Sequence, residues 1–278
     1  VVPFDHGAQY FTARDPAFQA EVARLMARGV VAEWTPRVVA VDCVGGVPRP
    51  ATEVQRLVGV PGMNAMAQSL AASLDVQVNV TVTAVTRQSD GWRLESGRGE
   101  STGAFDVVVL TAPPVQTAAL LGPHRLAEQV AVAEMAPCWA VMASWAEPID
   151  VAFDAAFVND GPLSWVARDG SKPGRPHPHT WVLHASPSWS TTHLELTPDD
   201  VGPLLLGAFG AIVGRPLPDL EFSVAHRWRY ASVARSLDQT HLWDATTGVG
   251  IAGDWCGGPR VEGAWLSGSA VARAILVT

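Results

Sequence analysis

Apolar positions recur at helical intervals near the start of the chain. Phe18, Val22, Leu25 and Met26 fall within Ala17 to Arg28, with Gly29 as the stop, and predict an amphipathic helix. The pattern then changes period. Val38 to Val47 reads as a hairpin with Gly45-Gly46 at its turn. Met63, Met66, Ala67 and Leu70 return to steps of three and four, predicting a second helix from Met63 to Leu74. Val76 to Thr86 is β-branched with period two, and Trp92 to Glu95 runs back after a Ser89-Asp90-Gly91 turn. The run Asp106 to Leu110 suits a strand buried on both faces, and Pro113-Pro114 ends it before a short helix, Val115 to Leu121.

From about Pro137 to Trp243 the pattern predicts several strands with Pro- and Gly-rich connections. Lys172 to Pro178 is the clearest loop, and Leu204 to Val213 reads as a helix stopped at Gly214. The last segment is a buried strand, Val249 to Gly253, a Gly-rich turn, and a helix from Glu262 to Leu276 with Ala264, Gly268, Val271 and Ile275 on one face. This mixture of buried strands and helices, without repeats, predicts an α/β (mixed α+β) protein.

Composition narrows the class. Hydrophobic residues make up 48% of 278 and charged residues 17%, which excludes a disordered chain. The net charge of -8 argues against nucleic acid or an anionic membrane as partner. No uncharged run approaches the roughly 18 residues that span a bilayer, and the opening residues lack a signal-peptide pattern. Cys43, Cys138 and Cys256 are widely separated and form no CxxC, so a reduced, cytoplasmic setting is expected. His177, His179, His184 and His193 match no common zinc spacing, and no metal is expected.

Candidate chemistry concentrates at Gly253-Asp254-Trp255-Cys256-Gly257-Gly258 and the following Arg260-Val261-Glu262-Gly263-Ala264-Trp265. A strand ends, small residues admit close backbone approach, and a helix begins with free amides that favour negative charge. On spacing alone, an ordinary strand–turn–helix remains the alternative. Together with Phe4-Asp5-His6-Gly7-Ala8-Gln9-Tyr10-Phe11-Thr12, Val60-Pro61-Gly62-Met63, Thr111 to Gln116, His184 to Pro187 and His226-Arg227-Trp228, these segments appear in the order found in bacterial renalase-like FAD-dependent oxidoreductases. The chain resembles that family, within the wider amine-oxidase group, over nearly its whole length.

The resemblance implies an FAD cofactor, with Asp254 at the ribityl chain and Gly253, Trp255, Glu262, Gly263 and Ala264 around the flavin end. Val82 resembles the residue whose backbone meets the adenine, and Gln9 one near flavin and substrate. Arg168 and Arg229 offer charge to phosphate or carboxylate groups, and His184 a hydrogen bond to a ring amide or ribose; surface and structural roles are the alternatives. Trp165, Trp181, Trp189 and Trp228 offer flat walls for a planar substrate, or serve as core.

Relatives open with a strand, a GxGxxG turn and a helix that hold the diphosphate. Nothing before Phe4 supplies these, so an incomplete FAD-binding three-layer domain and weak or lost FAD binding are expected, with apolar surface uncovered near Asp106 to Leu110 and Val249 to Gly253. The FAD-binding part is expected at 1–13, 51–130 and 245–278, interleaved with a mixed-sheet substrate part at 14–50 and 131–244. The implied activity is oxidation of misreduced dihydro-NAD(P) isomers to NAD(P)+ with hydrogen peroxide production; the partner is then a small dinucleotide substrate. An amine or other small-molecule flavin oxidase, or a non-catalytic binding module derived from such an enzyme, is the alternative.

Overall fold

Period-two and period-3.6 segments alternate along the chain, and the secondary structure follows them. The computed structural model describes residues 3–42, 47–97, 99 and 101–277. In chain order come α1 (Pro16–Ala27), β1 (Val31–Trp34), β2 (Val38–Val41), β3 (Arg49–Pro50), β4 (Arg56–Gly59) and α2 (Ala65–Ala71). There follow β5 (Val82–Gln88), β6 (Gly91–Ser96), β7 (Ser101–Phe105), β8 (Val108–Leu110), α3 (Pro114–Leu121) and α4 (Arg125–Val130). Next are β9 (Glu134–Trp145), β10 (Ala155–Val158), β11 (Leu163–Arg168), β12 (Thr180–Ala185), α5 (Pro187–Thr192), α6 (Pro198–Val213) and β13 (Leu220–Arg235). The chain closes with β14 (Leu242–Asp244), β15 (Val249–Ile251), α7 (Asp254–Gly257) and α8 (Arg260–Leu276).

Two compact units divide the chain: Val1–Ala72 with Ala136–Ala231, and Ser73–Met135 with Ser232–Thr278. Residues 1–13 and 51–72 thus share a unit with 14–50. The reason is pairing: β1 and β4 run antiparallel, and Phe11 bridges to Leu57.

The first unit is built on a seven-stranded mixed sheet in the order β13-β9-β12-β11-β10-β2-β3. β2 and β10 are parallel, whereas β10, β11, β12 and β9 pair antiparallel in turn. β2 pairs antiparallel with β3, as a hairpin requires, while the Gly45-Gly46 turn lies outside the described residues. Trp139, Trp145 and Trp181 fill the core with Phe209, whose ring lies 5.7 Å from Trp145 and 5.1 Å from Trp181. Phe209 comes from α6, which begins at Pro198 rather than at Leu204. Thr197 and Asp200 form a capping box there, so the helix starts early and runs through Pro203 to a left-handed Gly214.

In the second unit, β5, β6 and β7 form an antiparallel sheet, and β14-β15-β8 a mixed one with β15 and β8 parallel. Val249 and Ile251 of the central β15 are fully buried, and a Cβ on Gly250 would lie 2.8 Å from Val271 of α8. β8 is an edge strand, so the expected two-sided burial fails there: Val109 is 39% exposed. Two further expectations change. α2 ends at Ala71 instead of Leu74, and residues 76–80 join no strand, leaving Val76, Val78 and Val80 exposed. The buried face of α8 is also turned from that expected: Ser267 and Val271 are buried and Ala264 is exposed, because Ser267 Oγ accepts the Gly253 amide at 2.9 Å. No described helix is long and apolar enough to cross a membrane.

Candidate functional site

The turn after β15 is held by a buried tryptophan and by close backbone contacts. Trp255 is buried, and its indole donates to Ala112 O at 3.2 Å; the Leu237 amide donates to Trp255 O at 3.1 Å. A Cβ on Gly253 would stand 2.5 Å from Trp255 Nε1, and one on Gly263 only 1.9 Å from Gly258 O. The first turn of α8 therefore presses directly on the Gly258 peptide, an approach open only to glycine. Arg260 enters the helix at φ 88°, a left-handed conformation that side chains disfavour.

α8 starts at Pro259 without any side-chain cap, and Gly253 gives α7 none either. The leading amides of the 17-residue α8 are thus free of a capping side chain, and its dipole favours an electronegative group. Beside them stands Asp254, half-buried on α7. Burial pushes its carboxyl pKa up, opposed by hydrogen bonds from the Asp254 and Trp255 amides. Burial also lifts the Cys256 thiol to about 11, so this sulfur stays protonated and unreactive at neutral pH.

Gly253, Asp254, Trp255, Glu262, Gly263 and Ala264 therefore gather on one strand–turn–helix. Trp255 contributes a buried wall, its indole already hydrogen-bonded, while Ala264 is exposed. Val82 opens β5 and packs on the same unit's core beside Val85, Trp92 and Leu110. Uncapped amides next to a carboxylate acceptor fit a group with an electronegative edge and hydroxyls, as a flavin has.

The first unit holds the other candidates, and most are committed to internal bonds. Gln9 is buried; its Nε2 donates to Asp5 O and to Gly7 O at 3.2 Å, and its Oε1 accepts from Lys172 Nζ at 3.2 Å. Lys172 is wholly buried and also donates to Asp169 Oδ1 at 2.8 Å and Asp5 Oδ2 at 3.2 Å. Asp5 further accepts from the Met63 amide at 2.8 Å and from Arg175. Burial alone would raise its pKa, but Lys172, the Met63 amide and Arg175 together hold the carboxyl below its ordinary value.

His184 Nε2 lies 3.1 Å from the carbonyl oxygen of His6, so the ring donates there. Burial drives its pKa down to about 4, which keeps it neutral. Arg168 lies over Trp181 at 5.3 Å, with Nε 3.9 Å from Asp154 Oδ1 and Nη2 donating to Ile149 O at 3.3 Å. Arg229 forms a two-pronged pair with Glu195 at 2.8 and 2.9 Å. Of the four tryptophans expected as walls, Trp165 and Trp181 are core and Trp189 stacks on His193, whereas Trp228 is 38% exposed. Its indole donates to His6 O at 3.1 Å, and its ring stacks on that of His6 with centroids 5.3 Å apart.

Asp5, His6, Asp169, Lys172, Arg175 and His226 were not singled out by the sequence. Asp5, His6 and His226 lie within segments that carried the family resemblance, so that signal was present. Lys172 sits in a Pro- and Gly-rich loop, where a lysine reads as solvated; nothing local announces its burial.

Solved structures share the fold. A provisionally assigned protoporphyrinogen oxidase from Exiguobacterium sp. 255-15 superimposes with TM-score 0.62 at 18% identity, over 82% of this chain and 54% of that one. A putrescine oxidase double mutant redesigned for cofactor binding gives 0.58 at 14% identity, over 80% of this chain and 54% of that one. The chain thus spans about half the length of each. Residues 7–276 match the family of flavin containing amine oxidoreductases. Its strand–turn–helix, its mixed α/β fold and this match agree: the chain belongs to the flavin-containing amine oxidoreductase family.

Proposed function

We propose that this protein acts as an FAD-dependent oxidase of misreduced dihydro-NAD(P) isomers, in a cytoplasmic setting that suits its free Cys138 and Cys256. The flavin follows from the family. The choice of substrate is carried by one observation: Trp228 presents an accessible indole, fixed in plane by His6, which suits a planar ring better than a flexible alkyl amine.

In this reading Asp254 would accept hydrogen bonds from ribityl hydroxyls, and the start of α8, which no side chain caps, would favour the electronegative edge of the isoalloxazine. Gly263 keeps that helix start close to the Gly258 peptide, so it holds a fixed position. Val82 lends its backbone to the adenine. A flavin held there would supply an acceptor for the hydride of the dihydronicotinamide and a route for two electrons to oxygen. The sum is balanced: dihydro-NAD(P), a proton and O2 give NAD(P)+ and hydrogen peroxide. Gln9 and His184 act as supports, since their hydrogen bonds hold residues 5–9, and Trp228 gives the substrate ring a flat surface that keeps water off one side.

Anaerobic mixing with dihydro-NAD(P) isomers, and in parallel with putrescine, tests the reading. Bleaching of flavin absorbance by the dihydronicotinamides, followed by peroxide on admission of air, is expected. Bleaching by the amine alone transfers the activity to amine oxidation. If added FAD changes neither absorbance nor melting temperature, the chain is a binding module instead.

A further inference from the structure

Residues 5–7 connect two features that the proposed chemistry uses only separately. On one side, Asp5 is bolted to the buried Lys172, to Arg175 and to the Met63 amide. On the other, the single carbonyl of His6 accepts both Trp228 Nε1 and His184 Nε2, each at 3.1 Å. The His6 ring lies nearly parallel to the Trp228 indole, 19° between planes, and edge-on to His226 at 4.9 Å. His226 in turn meets Trp228 edge-on at 4.6 Å. Gly7 runs beneath the indole, with Trp228 Cζ2 3.9 Å from where a Cβ would stand. The His6 Nδ1 is buried and finds no hydrogen-bond partner among the described residues, so stacking decides where this ring sits.

Without such contacts an indole on the exposed side of β13 would turn about its two side-chain torsions, and ordering it would cost entropy on every binding event. Here one residue fixes both the nitrogen and the face. We propose that His6 is the positioning residue of Trp228, carrying the rigidity of the buried Lys172–Asp5 pair to the ring-binding surface on β13. The inference rests on the reading that Trp228 receives the planar substrate ring, and it assigns the orientation of that ring to a residue acting through Trp228.

Two readouts test it. In His6→Ala the backbone carbonyl remains but the stacking ring is gone; KM for the dihydro-NAD(P) isomers should rise about threefold to tenfold while kcat stays within about twofold. His6→Phe restores a ring and should recover most of the loss. Independently of any substrate, the near-ultraviolet circular dichroism assigned to Trp228, taken as the difference between wild type and Trp228→Phe, should vanish in His6→Ala and persist in His6→Phe. A Trp228 signal unchanged in His6→Ala overturns the proposal, as does an unchanged KM. Should the wild-type protein fail to oxidise dihydronicotinamides at all, the substrate reading falls, and the dichroism comparison alone decides the role of His6.

Discussion

The two units secure their central segments by opposite means. In the first, residues 5–9 are gripped by side chains: a lysine and an arginine that are both buried, two carboxylates and an amide, each with its partners. In the second, the turn between β15 and α8 is set by glycines at closest backbone approach, with one bond each from Trp255 and Ser267 and a helix start left uncapped. Side-chain gripping spends Lys172, Arg175 and the Gln9 carboxamide on internal acceptors. Close backbone approach leaves the start of α8 without a capping side chain, and that is where an electronegative group can settle. The difference separates scaffold from site without any appeal to residue type.

That contrast makes Lys172 the most costly position to alter. Lys172→Met leaves Asp5 and Asp169 buried without their shared cation, so a loss of about 3–5 kcal/mol is expected, seen as a fall of about 10 °C in Tm. A near-unchanged Tm would break the contrast, since it would mean that the buried charges hold nothing.

Acid should then open the two units unequally. The folded-state pKa of His184, about 4, lies below its ordinary 6.5. As pH falls, the unfolded chain takes up this proton first; stability is full above about 6.5 and is lost on the way down to about 4, by about 3 kcal/mol. Asp5, whose folded pKa is lowered, adds a further loss as pH falls through the carboxylate range. Asp254 works in reverse, because its raised pKa is a penalty at neutral pH that acid relieves. Hydrogen exchange at pH 5 should find the first unit loosened ahead of the second, and His184→Gln, which keeps a donor for His6 O, should flatten the dependence.

A smaller effect sharpens the other half. Gly263→Ala drives a Cβ toward Gly258 O, with an expected loss of about 1–3 kcal/mol and loss of bound flavin by absorbance. Gly258→Ala, where no atom lies within 4 Å of the added carbon, should leave Tm unchanged.

How much of this was legible depends on range. α1, α3, α6 and α8 announced themselves because helical periodicity is local, and Gly29 and Gly214 mark the ends of α1 and α6. The strand–turn–helix at Asp254 was legible for the same reason: all its parts lie within a short stretch. Residues 76–80 show the limit, since their alternation is strand-like but no described strand pairs with them. The internal partners of Gln9, Arg168 and His184 were beyond reach, because Lys172, Trp181 and His6 are brought to them by tertiary packing. Lys172 was hidden most completely, as its partner Asp5 is 167 positions away.

That distance also sets an order of events at the ribosome. Asp5 and Gln9 are synthesised long before the lysine that pairs with the first and donates to the second, and contacts of such long range form late. Residues 5–9 therefore stay unclasped until the loop bearing Lys172 arrives to shut them in place.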